Sequence, residues 1–367
     1  MKKRTIAVVA AAGALALSLA ACGGSTSGSS STAGGSTAAA GSMPTVKLMV
    51  GGIDKQIYLP YQLAQQLGLY QKYGVNVELS TEQHGGVGAE EAMASGQVDM
   101  SGAWYIHTID FQAKGKNIIN LVQLSGAPGE RIMCNPKANV HSGADLRGKT
   151  VGVTDLGSGT DELTQFIASK AGVSKNDYHT IAVGAGATAI AAIQRGSADC
   201  VMTTQPTVGA LEAKGLAVSA IDLASADGAK AALGGTLPSA GLLAQASWVK
   251  DHEDAAQKVV SALVETMHWI STHSAQDIAD KLPQDFVQNS TITKEQYVKA
   301  LDQDKGQFLP DGLMPAGGPK TVFEEEKTIG LDTSKVKIEN TFTQKYAQAA
   351  LKTLGITPTT TPAGADG

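Results

Sequence analysis

From Thr45 to Leu124, short apolar runs alternate with helical runs closed by glycine, and this alternation limits the possible folds more than any other feature of the chain. Thr45–Val50 reads as a strand, and Leu59–Leu67 as a helix with Leu59, Leu63 and Leu67 on one face and Gly68 as its stop. Strands are then predicted over Val75–Leu79, Val98–Ala103 and Ile118–Leu124, with helices over Ala89–Ser95 and Ile106–Ala113 between them. A β-α-β-α order at such short intervals predicts a parallel sheet with helices on its faces, and ligands bind beyond the carboxyl ends of such strands. The residues predicted there are Ile53–Tyr58, His84–Val87 and the pair Trp104 and Tyr105, a set rich in glycine and aromatic side chains.

The pattern restarts after the Ser125–Gly129 loop. Ile132–Cys134 reads as a strand, and the stretch Leu146–Lys170 as a buried strand (Thr150–Thr154), a Gly-Ser-Gly turn and an amphipathic helix opening near Thr160. Ser158 or Thr160 is the N-cap of that helix, and Asp161 and Glu162 suit the positive end of its dipole. Free amides at Gly157–Thr160 would make an anion site lining a gap; the plainer reading is an ordinary strand-to-helix turn. Further strands are predicted at Tyr178–Val183 and Cys200–Thr203, with Gln205 and Pro206 at the end of the latter. Asp99 and Asp199 recur at equivalent helix-to-strand corners and are read as structural turn residues. Beyond a strand at Ala240–Ala244 the chain is helical: 251–272, 275–281, 294–301 and 341–354. A helical block without strands packs most simply on the first domain, so the chain would cross between domains near Gly126–Arg131 and Gly234–Ser239. Glu324–Glu326 reads as a solvated helix face and 356–367 as a disordered tail.

Lys2, Lys3 and Arg4 precede an apolar run that ends in Leu19-Ala20-Ala21-Cys22, the layout of an export signal. Residues 22–44 are a small, polar stretch with nothing to bury and read as a flexible tether. Net charge is −5 from 29 basic and 34 acidic residues mixed along the chain, which argues against a nucleic-acid partner. Cys134 and Cys200 sit in apolar runs; a disulfide and a pair of adjacent buried thiols are both compatible with an exported chain. No metal ligand set, cofactor motif or catalytic constellation is read from the sequence, and a monomer is expected. His268 and His273, five apart on a surface helix, do not share a face.

Several phrases, taken in order, carry a resemblance. They include Gly68-Leu69-Tyr70, Tyr73–Glu78, Gly96–Asp99, Asp145–Val153, Gly157-Ser158-Gly159 and Gly196–Asp199 with Pro206 beyond. The series resembles the family of periplasmic binding proteins that serve ABC importers of nitrate, taurine, alkanesulfonates and pyrimidine precursors. Leu19–Cys22 is similar to a bacterial lipobox, which implies a lipid on Cys22 and a place on the outer face of the cytoplasmic membrane, or the periplasmic side where there is an outer membrane. The resemblance implies an α/β fold of type II topology: two lobes, each a doubly wound sheet, joined by a two-strand hinge. The implied boundaries are a signal peptide at 1–21, the tether at 22–44, one lobe from 45–127 with 239–355, a second lobe at 128–238, and the tail. Ligand loops carried over by position fall on Gln56, Tyr58, Gly85, Gly86, Trp104, Tyr105, Ser158, Gly159, Thr160 and Gln205. His84 beside the glycines departs from the family and is a candidate on its own chemistry, as an anion-binding imidazolium, a hydrogen-bond donor or a solvated loop residue. The implied role is capture of a small anionic organic molecule in the cleft and delivery to membrane permease subunits, with no enzymatic activity. A ligand-sensing lipoprotein is the alternative, as is an enzyme related to the pyrimidine-precursor synthases. The CCCFC segment of those synthases is absent here, and Thr204-Gln205 replaces the aromatic residue that many relatives have before the late proline.

Overall fold

The computed structural model describes residues 43–82 and 86–364. Its ten strands are β1 Thr45–Gly51, β2 Asn76–Glu82, β3 Met100–Trp104, β4 Ile118–Gln123, β5 Glu130–Cys134, β6 Thr150–Val153, β7 His179–Ala182, β8 Cys200–Thr204, β9 Val218–Asp222 and β10 Ala240–Gln245. They form two five-stranded sheets in the orders β2-β1-β3-β10-β4 and β7-β6-β8-β5-β9, flanked by helices. This is the two-lobed type II arrangement. The sheets are mixed, however, where the alternation predicted parallel ones: β10 runs antiparallel to β3 and β4, and β5 antiparallel to β8 and β9. The reason is the route of the chain. β5 and β10 are the strands that follow a crossing from one sheet to the other, so each enters its new sheet at the carboxyl edge and must run backwards.

The two crossings touch. Ser125 Oγ lies 2.9 Å from Ser239 Oγ, which also donates to the Ala127 carbonyl at 2.9 Å. The two recurring aspartates have matching roles: Asp99 accepts from the Lys47 amide and Asp199 from the Thr150 amide, both at 2.8 Å. Each carboxylate thereby ties a helix-to-strand corner to the neighbouring strand, β1 or β6. Pattern reading missed β9 and the helices Thr207–Ala213 and Ala226–Leu233. β9 is an edge strand with mostly exposed or half-buried side chains, so no apolar run announces it.

The long helix Glu253–Thr272 buries Val259, Val260, Leu263, Met267 and Ile270 and packs on the helices Leu59–Gln66 and Leu69–Lys72 of the first lobe. Two expectations for the last third fail. The residues described in the tail (356–364) are ordered against the body: the amides of Thr359 and Thr360 donate to Asp311 Oδ2 at 2.8 and 2.7 Å, and the Ala363 amide to the Met314 carbonyl at 2.8 Å. A buried carboxylate needs donors, and this polar segment supplies them. Glu325 and Glu326 are buried rather than solvated, because their helix, Gly318–Ile329, lies against both Gly159–Lys170 and Ile106–Ala113.

Cys134 and Cys200 are directly opposite on β5 and β8, and their sulfurs are bonded across a sequence separation of 66. Reduction is expected to cost about 2–4 kcal/mol, since a closed loop of this length restricts the unfolded chain. Urea midpoints measured with and without a thiol reductant check this, and equal midpoints would refute it.

Candidate functional site

The carboxyl ends of the two sheets face each other, and the loops beyond them form the contact between lobes. The Gln56 amide crosses it to the Gln205 carbonyl at 3.0 Å. Both glutamine side chains are buried: Gln56 Nε2 donates to the Tyr297 carbonyl at 3.0 Å, and Gln205 Oε1 accepts from the Gly209 amide at 3.0 Å. Tyr58 is buried next to Tyr61, with Lys55 Nζ 5.9 Å from the centre of its ring. At the mouth of the cleft a cavity of about 190 Å³ is lined by Asp54, Lys55, Ala185–Ala187, Pro206, Thr207 and Asn289–Thr291.

Deeper in, the Gly-Ser-Gly turn does face the opposite lobe, but it is covered. The Trp104 indole lies on Gly159 so closely that a Cβ there would sit 2.4 Å from the ring. Ser158, Gly159 and Thr160 are all buried, so the open amides expected from the sequence are shielded by protein in this closed form. The hydroxyls are also committed locally. Ser158 Oγ donates to the Asp155 carbonyl at 2.7 Å, Thr160 Oγ1 accepts from the Thr154 amide at 2.9 Å, and Thr154 Oγ1 lies within 3.0 Å of both. These side chains shape the turn; they are not free donors. The Gly157 amide is taken by Asp161 Oδ2 at 3.0 Å. The amides of Gly159 and Thr160 have no backbone acceptor outside their own helix among the described residues.

The other positions divide. Tyr105 is fully buried and turns away from the cleft: its hydroxyl bonds Thr341 and its ring meets Phe342 edge-on, so it belongs to the core beneath the helical block. Gly86 has φ +100°, which only glycine adopts without strain, and its amide donates to Glu82 Oε1 at 3.0 Å. That amide is therefore occupied. His84, Gly85 and Cys22 lie outside the described residues.

Sequence reasoning missed the charged groups around the cleft. Lys55 is buried, with Nζ donating to the Gly51 carbonyl at 3.0 Å; burial lowers its pKa, and Glu130 opposes that shift. Burial pushes the Glu130 carboxyl up to about 8. Glu90 is likewise raised to about 8 by burial, against the attraction of His107. Near pH 7 both therefore present O–H donors more than negative charge. Burial alone would lower His107, but Glu90 and Asp110 outweigh it and raise its pKa. Glu162, Glu325 and Glu326 are all raised by burial, then by Asp110 nearby. The one local cue was His107 and Asp110 at a spacing of three on a helix; the other groups come from segments far apart in sequence.

Residues 57–276, more than half of the chain, match the sequence profile of the family described as NMT1/THI5 like. The chain belongs to the NMT1/THI5-like family. This NMT1/THI5-like chain is 22% identical over 259 residues to YtlA of Bacillus subtilis, named as a binding protein, covering 70% of the chain and 75% of YtlA. It is 26% identical over 143 residues to the 4-amino-5-hydroxymethyl-2-methylpyrimidine phosphate synthase of Legionella pneumophila, covering 39% of the chain and 44% of the synthase. Among solved structures, a Bordetella bronchiseptica protein superposes with a TM-score of 0.79 at 28% identity, over 85% of this chain and 98% of that one. The nitrate-binding protein NrtA of Synechocystis PCC 6803 (TM-score 0.69, 16% identity, 85% and 89% covered) shares the fold. So does the alkanesulfonate-binding protein SsuA of Xanthomonas axonopodis pv. citri (0.60, 18%, 79% and 93%). No helix among the described residues is long and apolar enough to cross a membrane.

Proposed function

We propose that this NMT1/THI5-like chain is the substrate-binding protein of an ABC importer and that its cargo is a small anionic organic molecule held between the lobes. The observation that carries this reading is the start of the twelve-residue helix at Gly159, where the Gly159 and Thr160 amides have no backbone acceptor outside their own helix and the Trp104 indole of the other lobe lies against Gly159. Opening the lobes would lift the indole from Gly159. An oxyanion would then meet the two amides, and Trp104 would close over the organic body on re-docking. The protonated Glu90 and Glu130 would not repel such an anion.

The lobes of this reading are 45–127 with 239–355 and 128–238, and delivery is to permease subunits in the membrane. A lipid on Cys22 would hold the protein on the outer face of the cytoplasmic membrane, residues 22–44 would act as the tether, and the protein would work as a monomer without a cofactor. A second reading, a pyrimidine phosphate synthase, is favoured by the similarity to the Legionella protein. The three cysteines, Cys22, Cys134 and Cys200, are widely separated and form no cysteine-rich segment that such chemistry would use.

A thermal-shift screen of the purified protein against sulfonates, nitrate, carboxylates and pyrimidine precursors tests the assignment. One class is expected to stabilise the fold by about 2.7 kcal/mol at a hundred times its dissociation constant. If only uncharged or cationic compounds stabilise it, the anionic cargo is wrong. Turnover of a pyrimidine precursor would favour the synthase.

A further inference from the structure

Beside the cleft, the two lobes and the helical block bring together five carboxyl groups and a single imidazole. Glu90 and the pair His107 and Asp110 come from the first lobe, Glu162 from the second, and Glu325 and Glu326 from the helix Gly318–Ile329 laid over both. Apart from Asp110, which is partly exposed, all are at least nine-tenths buried. His107 Nδ1 lies 3.0 Å from Asp110 Oδ2 and 3.8 Å from Glu162 Oε2. One donor atom from each of these three residues falls within 4.8 Å of the others. On the far side of the ring, Nε2 lies 3.4 Å from Glu90 Oε1.

A cluster of acids can arise without a ligand, but two further observations point to one here. Both oxygens of Glu325, which is 0% exposed, and Oε2 of Glu162 have no hydrogen-bond partner among the described residues. Burying a carboxyl without a partner is costly, and a group that does so in a native fold needs an explanation. The second is the way the imidazole is held. Nδ1 hydrogen-bonds Asp110 at 3.0 Å, while Nε2 and Glu90 Oε1, 3.4 Å apart, have no hydrogen-bond partner among the described residues. An ion taking the place of the proton between Nδ1 and Asp110 would put the ring proton on Nε2, facing Glu90. This is how ligating histidines are oriented in metal sites. Lys114 is the other cation acting on the group, and it affects Glu90, His107 and Glu326 only as a minor influence.

We propose that His107 Nδ1, Asp110 and Glu162 bind a divalent first-row transition ion across the lobe contact, with Glu90 orienting the imidazole and Glu325 and Glu326 available as further oxygen ligands. One nitrogen with several carboxylates suits Zn²⁺ or Mn²⁺, whereas oxygen-only cages suit Ca²⁺ and Mg²⁺. Ligand atoms around such an ion stand about 3–3.5 Å apart at bond lengths near 2.1 Å, so Glu162, with its separations here within 4.8 Å, has to move in by up to about 1 Å. Binding would displace carboxyl protons to solvent. Because Glu162 lies in one lobe and His107 and Asp110 in the other, the ion would hold the lobes closed. The proposal does not depend on the transport reading.

The test uses the purified protein stripped with EDTA and titrated calorimetrically with Zn²⁺, Mn²⁺, Ca²⁺ and Mg²⁺. One equivalent of Zn²⁺ or Mn²⁺ is expected to bind and raise the melting temperature. His107→Gln and Glu162→Gln should weaken that binding at least about tenfold, and Glu90→Gln by about 10–100-fold through the freed tautomer. His268→Ala should change nothing. Absence of stoichiometric binding, or equal affinity in His107→Gln, overturns the site. If the variants fail to fold, Co²⁺ added to the native protein decides. Ligand-field bands that Zn²⁺ abolishes support the site, and the spectrum of aqueous Co²⁺ alone overturns it.

Discussion

Gly159→Leu is expected to keep its fold, lose compactness and bind the cleft ligand at least about a hundredfold more weakly, because overpacking a close contact costs about 1–3 kcal/mol even when the added group is small. The side chain would start 2.4 Å from the Trp104 indole, inside any permitted contact distance, and leucine extends well beyond that first atom. The local fold has no reason to object. Gly159 is the first residue of its helix and does not need a positive φ, so a side chain there is tolerated by the backbone. The conflict is entirely with the other lobe. Small-angle scattering should show a larger radius for the variant, and calorimetry the loss of affinity. Gly159→Ala should show both at smaller amplitude, and Trp104→Ala in the Gly159→Leu background should restore the compact radius. A Gly159→Leu protein as compact as the parent would mean that Trp104 yields easily and does not set the closed geometry.

Arg131→Met is expected to destabilise the protein by about 3–5 kcal/mol, the usual cost of stranding one partner of a buried ion pair. Arg131 stands at the start of β5, just past the first crossing. Its guanidinium grips both oxygens of Asp304, at 2.7 and 2.8 Å, while Nε reaches Asp222 at 3.1 Å. Asp304 ends the helix Lys294–Asp304 in the helical block and has 2% of its side chain exposed, so removing the cation leaves a carboxylate with little access to water. At about 1–2 °C per kcal/mol for a fold of more than about 300 residues, the melting temperature should fall by roughly 5–8 °C. Adding Asp304→Asn should recover much of the loss, since the stranded charge is then gone. A loss below about 1 kcal/mol would place this pair with ordinary surface bridges.

How much of this was legible in the residues depends on distance along the chain. Leu59, Leu63 and Leu67 stand one helical turn apart, and Val46, Leu48 and Val50 alternate along TVKLMV, so helices and strands of the first lobe could be placed within a few residues. The equivalence of Asp99 and Asp199 was visible because each lies within a short phrase whose geometry is local. Val218–Asp222 was not visible, since an edge strand need not be apolar. Glu324–Glu326 misled because adjacent charges on a helix normally face water. Here two further elements cover that helix, and neither neighbour could be known from the run itself. Tyr105 misled for a similar reason: one residue past Trp104, it points to the opposite side of the sheet end, where Thr341 waits more than two hundred residues later.

By itself, then, the sequence determined the alternation of strands and helices, the two matched corners and a helix beginning at a glycine turn, because each follows from bonds and periodicities within about twenty residues. Tertiary structure alone decided that β5 and β10 run backwards, that Trp104 closes over Gly159, and that one imidazole shares a buried site with five carboxyls. Those outcomes depend on which surfaces meet when two lobes and a returning helical block close on each other. Such contacts join residues tens to hundreds of positions apart, and no local pattern encodes them.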